Sequence, residues 1–318
     1  MKKCLSFLII LLLICNVVFA NEAIESFWIG IVRIDGILVP IGIYNKDKWI
    51  NTWPEPSIGE QPEVDNLVKA TNGKLPLQNI PGPWKGAIKA IPATVYLWSE
   101  DLGPKNLKVL NAEQYSSHCS GGWALKTDLQ PTKEVDYSPT PKLGVASNYK
   151  SNVIPFESLS KENKLPSSLI KAIKAKFDEK EKIDSDVSLK DREKGLFGLS
   201  HIYKARREIN GRSLYFIEAQ RKYPKPSNAP DADCYNLNSL NSWVMLQGNK
   251  ISFLSSEFVA SDCDGKEMNS IVPNVVISVQ GRHYIVSENY GYEWEFYTIN
   301  EILDGSMKEV LKVGGGGC

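Results

Sequence analysis

The chain is poor in histidine, with three in 318 residues. So few imidazoles, scattered among cysteines suited to disulfides, make no zinc-ligand set. Neither sign of charge is in excess: Lys and Arg total 37, as do Asp and Glu. A nucleic-acid partner would need clustered basic residues, so that class is excluded. Beyond the N-terminus no apolar run approaches the roughly 20 residues that cross a bilayer. Phosphate-binding and nucleophile-elbow patterns are missing too. The run "VGGGGC" at the C-terminus follows no strand–helix context, and no G-x-S-x-G occurs. The expectation is a protein without a cofactor.

The N-terminus is informative. Lys2 and Lys3 precede an apolar stretch from Leu5 to Ile14, and Val18-Phe19-Ala20 offers small residues at the −3 and −1 positions before Asn21. That pattern predicts a secretory signal peptide over residues 1–20, of the bacterial export type, and a secreted or periplasmic protein. The alternative is a lipoprotein anchored at Cys15, which the bulky Ile14 before it disfavours. Losing two lysines with the signal leaves a slight acidic excess, and no transmembrane segment is expected after cleavage. The 42% hydrophobic and 23% charged composition is that of an ordinary globular chain.

Four cysteines follow the signal: Cys119, Cys234, Cys263 and Cys318. In an oxidising compartment an even count predicts disulfides. Cys234 and Cys263 bracket an expected hairpin and form the natural local pair. Cys119 and Cys318 are then paired by elimination, the four glycines before Cys318 serving as a flexible tether.

Extended runs joined through a glycine recur. "FWIGIVR" meets "ILVPIGIY" across Asp35-Gly36, and "HIYKARREI" meets "RSLYFIEAQ" across Asn210-Gly211. "SWVML" meets "KISFLSSEF" across Gly248-Asn249, and "NVVISV" meets "RHYIVSE" across Gln280-Gly281. Such turns tolerate the positive φ that tight hairpins need, and the flanking Val, Ile, Tyr and Phe suit a pleated surface. The fold class expected is mainly β: an antiparallel, hairpin-rich sandwich or open barrel with one amphipathic helix. The spacing of the last three turn glycines leaves a small β-propeller as the alternative.

The helix is read in "LPSSLIKAIKAKFDEKEK", where Leu169, Ile170, Ile173 and Phe177 recur at helical spacing behind Pro166. Charged sequence continues to about Lys194 and reads as a solvated helix end and linker. The organisation expected is an N-terminal β-rich region over 21–160, a helix and charged linker over 161–194, and a C-terminal antiparallel β region over 195–318 with a glycine-rich tail. Between Trp53 and Pro92 the chain is punctuated by proline and glycine around a possible short helix at Val64–Ala70.

Chemistry-bearing residues are few. In "SSHCSGG", His118 and Cys119 are adjacent and would point to opposite faces of an extended segment, which makes a poor nucleophile–base pair. Either cysteine or serine chemistry would need a base from elsewhere, and only His201 and His283 remain. In "SENYGYEWEFYTI", Glu293, Glu295 and Tyr297 share one face of a strand, with Trp294, Phe296 and Thr298 on the other. Carboxylates at that spacing stand about 6.5–7 Å apart, within the roughly 6.5–9.5 Å of inverting glycosidases. Tyr290, Tyr292 and Trp294 beside them could stack on sugar rings. The loop tryptophans Trp49, Trp53 and Trp84 suggest a ligand surface if exposed. If Cys234 joins Cys263, then Asp231, Asp233, Asp262 and Asp264 gather on one rim as a weak cation site, although "SDCDGKE" departs from a calcium loop.

The functional expectation is an exported, non-catalytic binding or envelope-associated module whose partner is a glycan or an envelope protein. The alternative is a glycan-active hydrolase using Glu293 and Glu295.

Overall fold

The structure is a computed structural model that describes residues 27–51, 74–75, 93–99, 102–117, 120–130, 142–148, 153–159, 165–184, 193–224, 237–261, 268–292 and 294–317. It is built almost wholly of antiparallel strands. The first sheet contains β1 (Phe27–Arg33), β2 (Ile37–Asn45), β3 (Lys48–Asn51), β4 (Lys74–Leu75), β5 (Thr94–Ser99), β6 (Lys105–Ser117), β7 (Ser120–Thr127) and β8 (Lys142–Ser147). Six of these close on themselves in the order β1-β8-β5-β6-β7-β2, with β2 returning to β1; β3 extends from β2 and β4 from β6. The second sheet contains β9 (Val153–Ser158), β10 (Leu196–Ala205), β11 (Ser213–Lys222), β12 (Leu237–Gln247), β13 (Lys250–Ser261), β14 (Ser270–Val279), β15 (Arg282–Tyr290), β16 (Trp294–Leu303) and β17 (Ser306–Gly317). Its order, β13-β12-β11-β10-β9-β14-β15-β16-β17, is two four-strand meanders flanking β9. β13 and β17 approach each other at the seam, so this sheet is a nearly closed barrel. Barrels, not propeller blades, are what the hairpins build. β9 precedes residue 160 in sequence yet lies in the second sheet.

Each expected hairpin is present. The turns use positive φ at Gly36, at Asn210 and Gly211, at Gly248, and at Gln280 and Gly281, the conformations for which glycine and asparagine are suited. Two more hairpins, β2–β3 and β16–β17, turn through Lys46-Asp47 and Gly305 with the same backbone signature.

Alternation along the strands creates the layers. On β1, Trp28 and Val32 point into the first barrel, while Phe27, Ile29 and Ile31 point outward, and all are buried. The outward set meets Tyr284, Val286, Tyr297 and Ile299 of the second sheet, so the two barrels share one apolar layer. Inside the second barrel Phe216, Trp243, Met245, Val276 and Ile285 form a third core. A fourth lies on the outer face of β10–β13, beneath helix α1 (Ser167–Asp184).

That helix starts directly after Pro166, whose carbonyl accepts from the N–H groups of Leu169 and Ile170. Leu169, Ile173 and Phe177 are buried as the helical spacing requires. The expected solvated end differs, because Glu181 is also buried, 1% exposed. Its carboxylate accepts from Arg221, Tyr223 and Asn238. The glycine tail differs as well. Gly314, Gly316 and Gly317 belong to β17 and pair with Phe296, Glu295 and Trp294. Among the described residues no helix is long and apolar enough to cross a membrane.

Candidate functional site

Among the described residues, a crevice where the two barrels meet beside β9 resembles a ligand site. On β5, Val95 and Leu97 fill the first barrel, and alternation turns Tyr96 and Trp98 outward. β8 runs alongside, and Gly144 lies so close to Trp98 that a Cβ would run into the Trp98 carbonyl. Across from them, β9 changes partner midway. Val153 to Pro155 pair with β14, whereas Phe156 to Ser158 pair with β10. Beyond that crossover β14 and β10 lack a β9 neighbour, and the wall parts. Pro273 sits where β14 has lost that neighbour, a position that needs no N–H for the ladder. A bulge between Pro273 and Val275 then re-aims Asn274.

The inner compartment is about 180 Å³, lined by Trp98, Gly144, Ser158, Tyr203, Pro273 and Asn274 among others. Trp98 also lines an outer compartment of about 530 Å³ with Tyr96, Pro104, Lys105 and Asn106. Their combined size is that of small-molecule sites, a few hundred Å³. Among the described residues no charged side chain lines the inner compartment. Two of its donors, Trp98 Nε1 and Asn274 Nδ2, are buried and have no hydrogen-bond partner. An unsatisfied buried donor costs about 1–3 kcal/mol; both atoms are closed to solvent, so a ligand oxygen satisfies them only where the two side chains turn toward the crevice.

Behind the crevice, Tyr203 shares the inner face of β10 with His201. Burial, then the nearby Glu218 charge, pushes the Tyr203 hydroxyl above its ordinary value. Glu218 lies opposite His201 in the β10–β11 ladder. The His201 Nδ1–H donates to Glu218 Oε2 at 2.9 Å, and Gln220 Nε2 donates to Oε1 at 2.6 Å. The carboxylate is 3% exposed and the histidine side chain 55% exposed. A buried carboxylate therefore fixes the orientation of an accessible imidazole, an arrangement also used by catalytic bases. Around it the inner face of the second barrel is polar: Ser239, Asn241, Ser287, Asn289 and Thr298 are all buried.

The residues singled out in the sequence fall into two groups. Glu293, Trp53, Trp84, His118, Asp231, Asp233, Asp262, Asp264 and all four later cysteines lie outside the described residues, as does the segment Val64–Ala70. Of the rest, Glu295 and Tyr297 do share a face, and Tyr297 Oη donates to Glu295 Oε1 at 2.5 Å. Glu295 is buried, 7% exposed, and Tyr290 pairs with it across the ladder. Burial, then Glu288, drives the Tyr290 hydroxyl far above the usual phenol range. Trp294 stacks on Phe296 with centroids 4.8 Å apart and folds back over Gly291, while Tyr292 stays exposed. Trp49 is not a surface aromatic. It is buried in the layer between the barrels, with edge contacts to Phe27, Tyr44 and Tyr284.

Trp98, Asn274 and the Glu218–His201 pair were not singled out. An outward Tyr-x-Trp on an alternating strand was the readable sign of Trp98. The Glu218–His201 contact was nearly readable: counting back from Asn210-Gly211 sets His201 opposite Gln220. An irregular stretch over 206–208 moves the partner two residues along the same face, to Glu218.

Compared with family models, curated proteins and solved structures, the chain gives no match.

Proposed function

We propose that the protein is an exported binding module, secreted or periplasmic after removal of residues 1–20, whose ligand seats in the crevice at Trp98. The observation that carries this reading is the pair of buried, unpartnered donors, Trp98 Nε1 and Asn274 Nδ2, on residues lining one cavity between two rigid barrels. Sites on such scaffolds are preformed, so binding needs little ordering of the protein. The signal-peptide pattern supports export, and the cysteine count supports disulfides in that compartment. β12 and β13 support the Cys234–Cys263 bond, because Leu237 pairs with Ser261 at the open end from which the chain continues toward both cysteines. β17 lies against β6 and β7, and Ser117 pairs with Ser120 across residues 118–119, which favours Cys119–Cys318.

The test of binding uses protein carrying 5-fluorotryptophan, with the Trp98 resonance assigned through Trp98→Phe. A fragment set of neutral, anionic, cationic and acyl compounds is titrated. Saturable movement of the Trp98 signal by at least one fragment is expected; no movement by any class overturns the reading.

The hydrolase alternative has less support, since Glu295 is buried and accepts from Tyr297. Glu293→Gln with glycan turnover unchanged in a folded protein removes it.

A further inference from the structure

The chemistry of the crevice narrows its ligand, on the premise that the crevice is a binding site at all. We propose that it takes a neutral carbohydrate, one sugar ring in the inner compartment at Trp98 and the rest of a short glycan along Tyr96 and Asn106. Four observations converge. Among the described residues the inner lining carries no charge, and in the outer compartment the single cation is the exposed Lys105, with no guanidinium to grip an anion. A carboxylate or phosphate ligand would therefore enter without the paired charge that its desolvation requires.

An acyl chain suits the apolar walls but leaves Trp98 Nε1 and Asn274 Nδ2 unpaired, at the cost they already incur. A peptide would be held most simply by adding a strand to a free sheet edge. Here β5 lies between β6 and β8, and β8 between β1 and β5; the edge that β14 leaves free beyond β9 is interrupted by Pro273, which has no N–H to offer, and by the bulge that follows it.

A sugar meets each demand. With the Trp98 indole and the Asn274 amide turned toward it, its hydroxyls accept from both and also donate to Ser158 or to the Asn274 side-chain oxygen. Its flat C–H faces lie against Trp98, Pro155 and Pro273, all lining residues. Asn274 stands at a bulge, and the Asn terminal torsion is soft, so its amide can turn to a ligand oxygen at low cost. Tyr96 and Asn106 repeat the aromatic–amide pairing in the outer compartment.

The experiment reads the fluorinated Trp98 resonance and intrinsic fluorescence with chitotriose, cellotriose and maltotriose. Inorganic phosphate, decanoate and trialanine serve as the other arms. At least one oligosaccharide is expected to move Trp98 saturably while the other three probes do not. Trp98→Ala should abolish binding of that oligosaccharide in titration calorimetry, a readout that does not need the indole. Asn274→Ala should weaken it about tenfold, the loss expected for one well-placed hydrogen bond, with the far-ultraviolet dichroism of both variants matching the parent. If phosphate, decanoate or trialanine moves Trp98 and no sugar does, the carbohydrate assignment is wrong and the binding site stands. If no probe of any class moves Trp98, both fail.

Discussion

The two meanders of the nine-stranded sheet have the same strand count and the same turn chemistry, yet their outer faces are covered by different means. β14–β17 is covered by the first barrel through an apolar, aromatic layer. Tyr284 sits 5.7 Å from Tyr44 and 5.5 Å from Trp49, ring to ring, and all three are buried. β10–β13 is covered by α1, and there the apolar stripe is supplemented by a buried ionic cluster. Glu181 meets Arg221, Tyr223 and Asn238, Arg221 also bonds Asp178 at 2.7 Å, and its guanidinium lies 5.0 Å over Phe177. Apolar burial as such is non-directional. A buried ion pair contributes little net energy but fixes which turn of the helix meets which strand. A single helix on a broad sheet has alternative registers, whereas a closed barrel offers its partner one shaped face.

That contrast can be broken at four points, in falling order of effect. Tyr284→Ala removes the centre of the barrel–barrel layer and is expected to cost about 3–5 kcal/mol in equilibrium denaturation; a loss below about 1 kcal/mol would mean that the layer is not held by its aromatics. Glu181→Leu takes from Arg221 the more buried of its two carboxylates, leaving only the half-exposed Asp178, and is expected to cost about 3 kcal/mol, with Arg221→Met in the same chain recovering most of it. A double variant no more stable than the single would show that the cluster stabilises as well as specifies. Hydrogen exchange should place the loss in α1 and not in β14–β17.

Third comes the proposed Cys234–Cys263 bond, which would close the open end of β12–β13 in the helix-covered half only. Replacing both cysteines with serine is expected to cost about 2–4 kcal/mol, and intact-mass analysis after thiol alkylation without reductant should show neither thiol free. Two free thiols would dispose of the bond.

The smallest effect concerns pH. Burial, the largest single influence on Asp178, pushes its carboxyl up. The bonds from Lys174 and Arg221 together outweigh it and hold the group below 3.8. A carboxyl depressed on folding contributes stability that is present above its unfolded value near 3.8 and is lost as pH falls through the lower folded value. Asp178 is 36% exposed, so Asp178→Asn should cost less than about 1 kcal/mol at neutral pH. The difference from the parent should vanish in strongly acidic urea melts. A difference that grew with acid would reverse the assignment.

Much of this architecture was legible one residue at a time. Period-two runs and turn glycines marked the strands, and Leu169, Ile173 and Phe177 marked the helix, because each pattern is satisfied by neighbours within a few positions. Within 287–299, residues 294–298 present the two expected faces, with Glu295 and Tyr297 together, while Glu293 lies outside the described residues and a turn separates Tyr290 from Trp294. What local pattern could not carry was partner choice. Glu181 reads as one more charge on a solvated helix end until β11 brings Arg221 and Tyr223 beneath it. Gly314–Gly317 reads as a tether until β16 supplies a ladder. Trp49 reads as a loop aromatic until Tyr44 and Tyr284 enclose it.

By itself, then, the sequence determined the hairpins, the helix and the antiparallel class, since those follow from backbone preference and short-range periodicity. Only the tertiary structure decided the crevice at Trp98 and Asn274 and the meeting of His201 with Glu218. Both depend on bulges and a mid-strand change of partner at β9, where the pairing energy of distant segments, not local propensity, sets which side chains face one another.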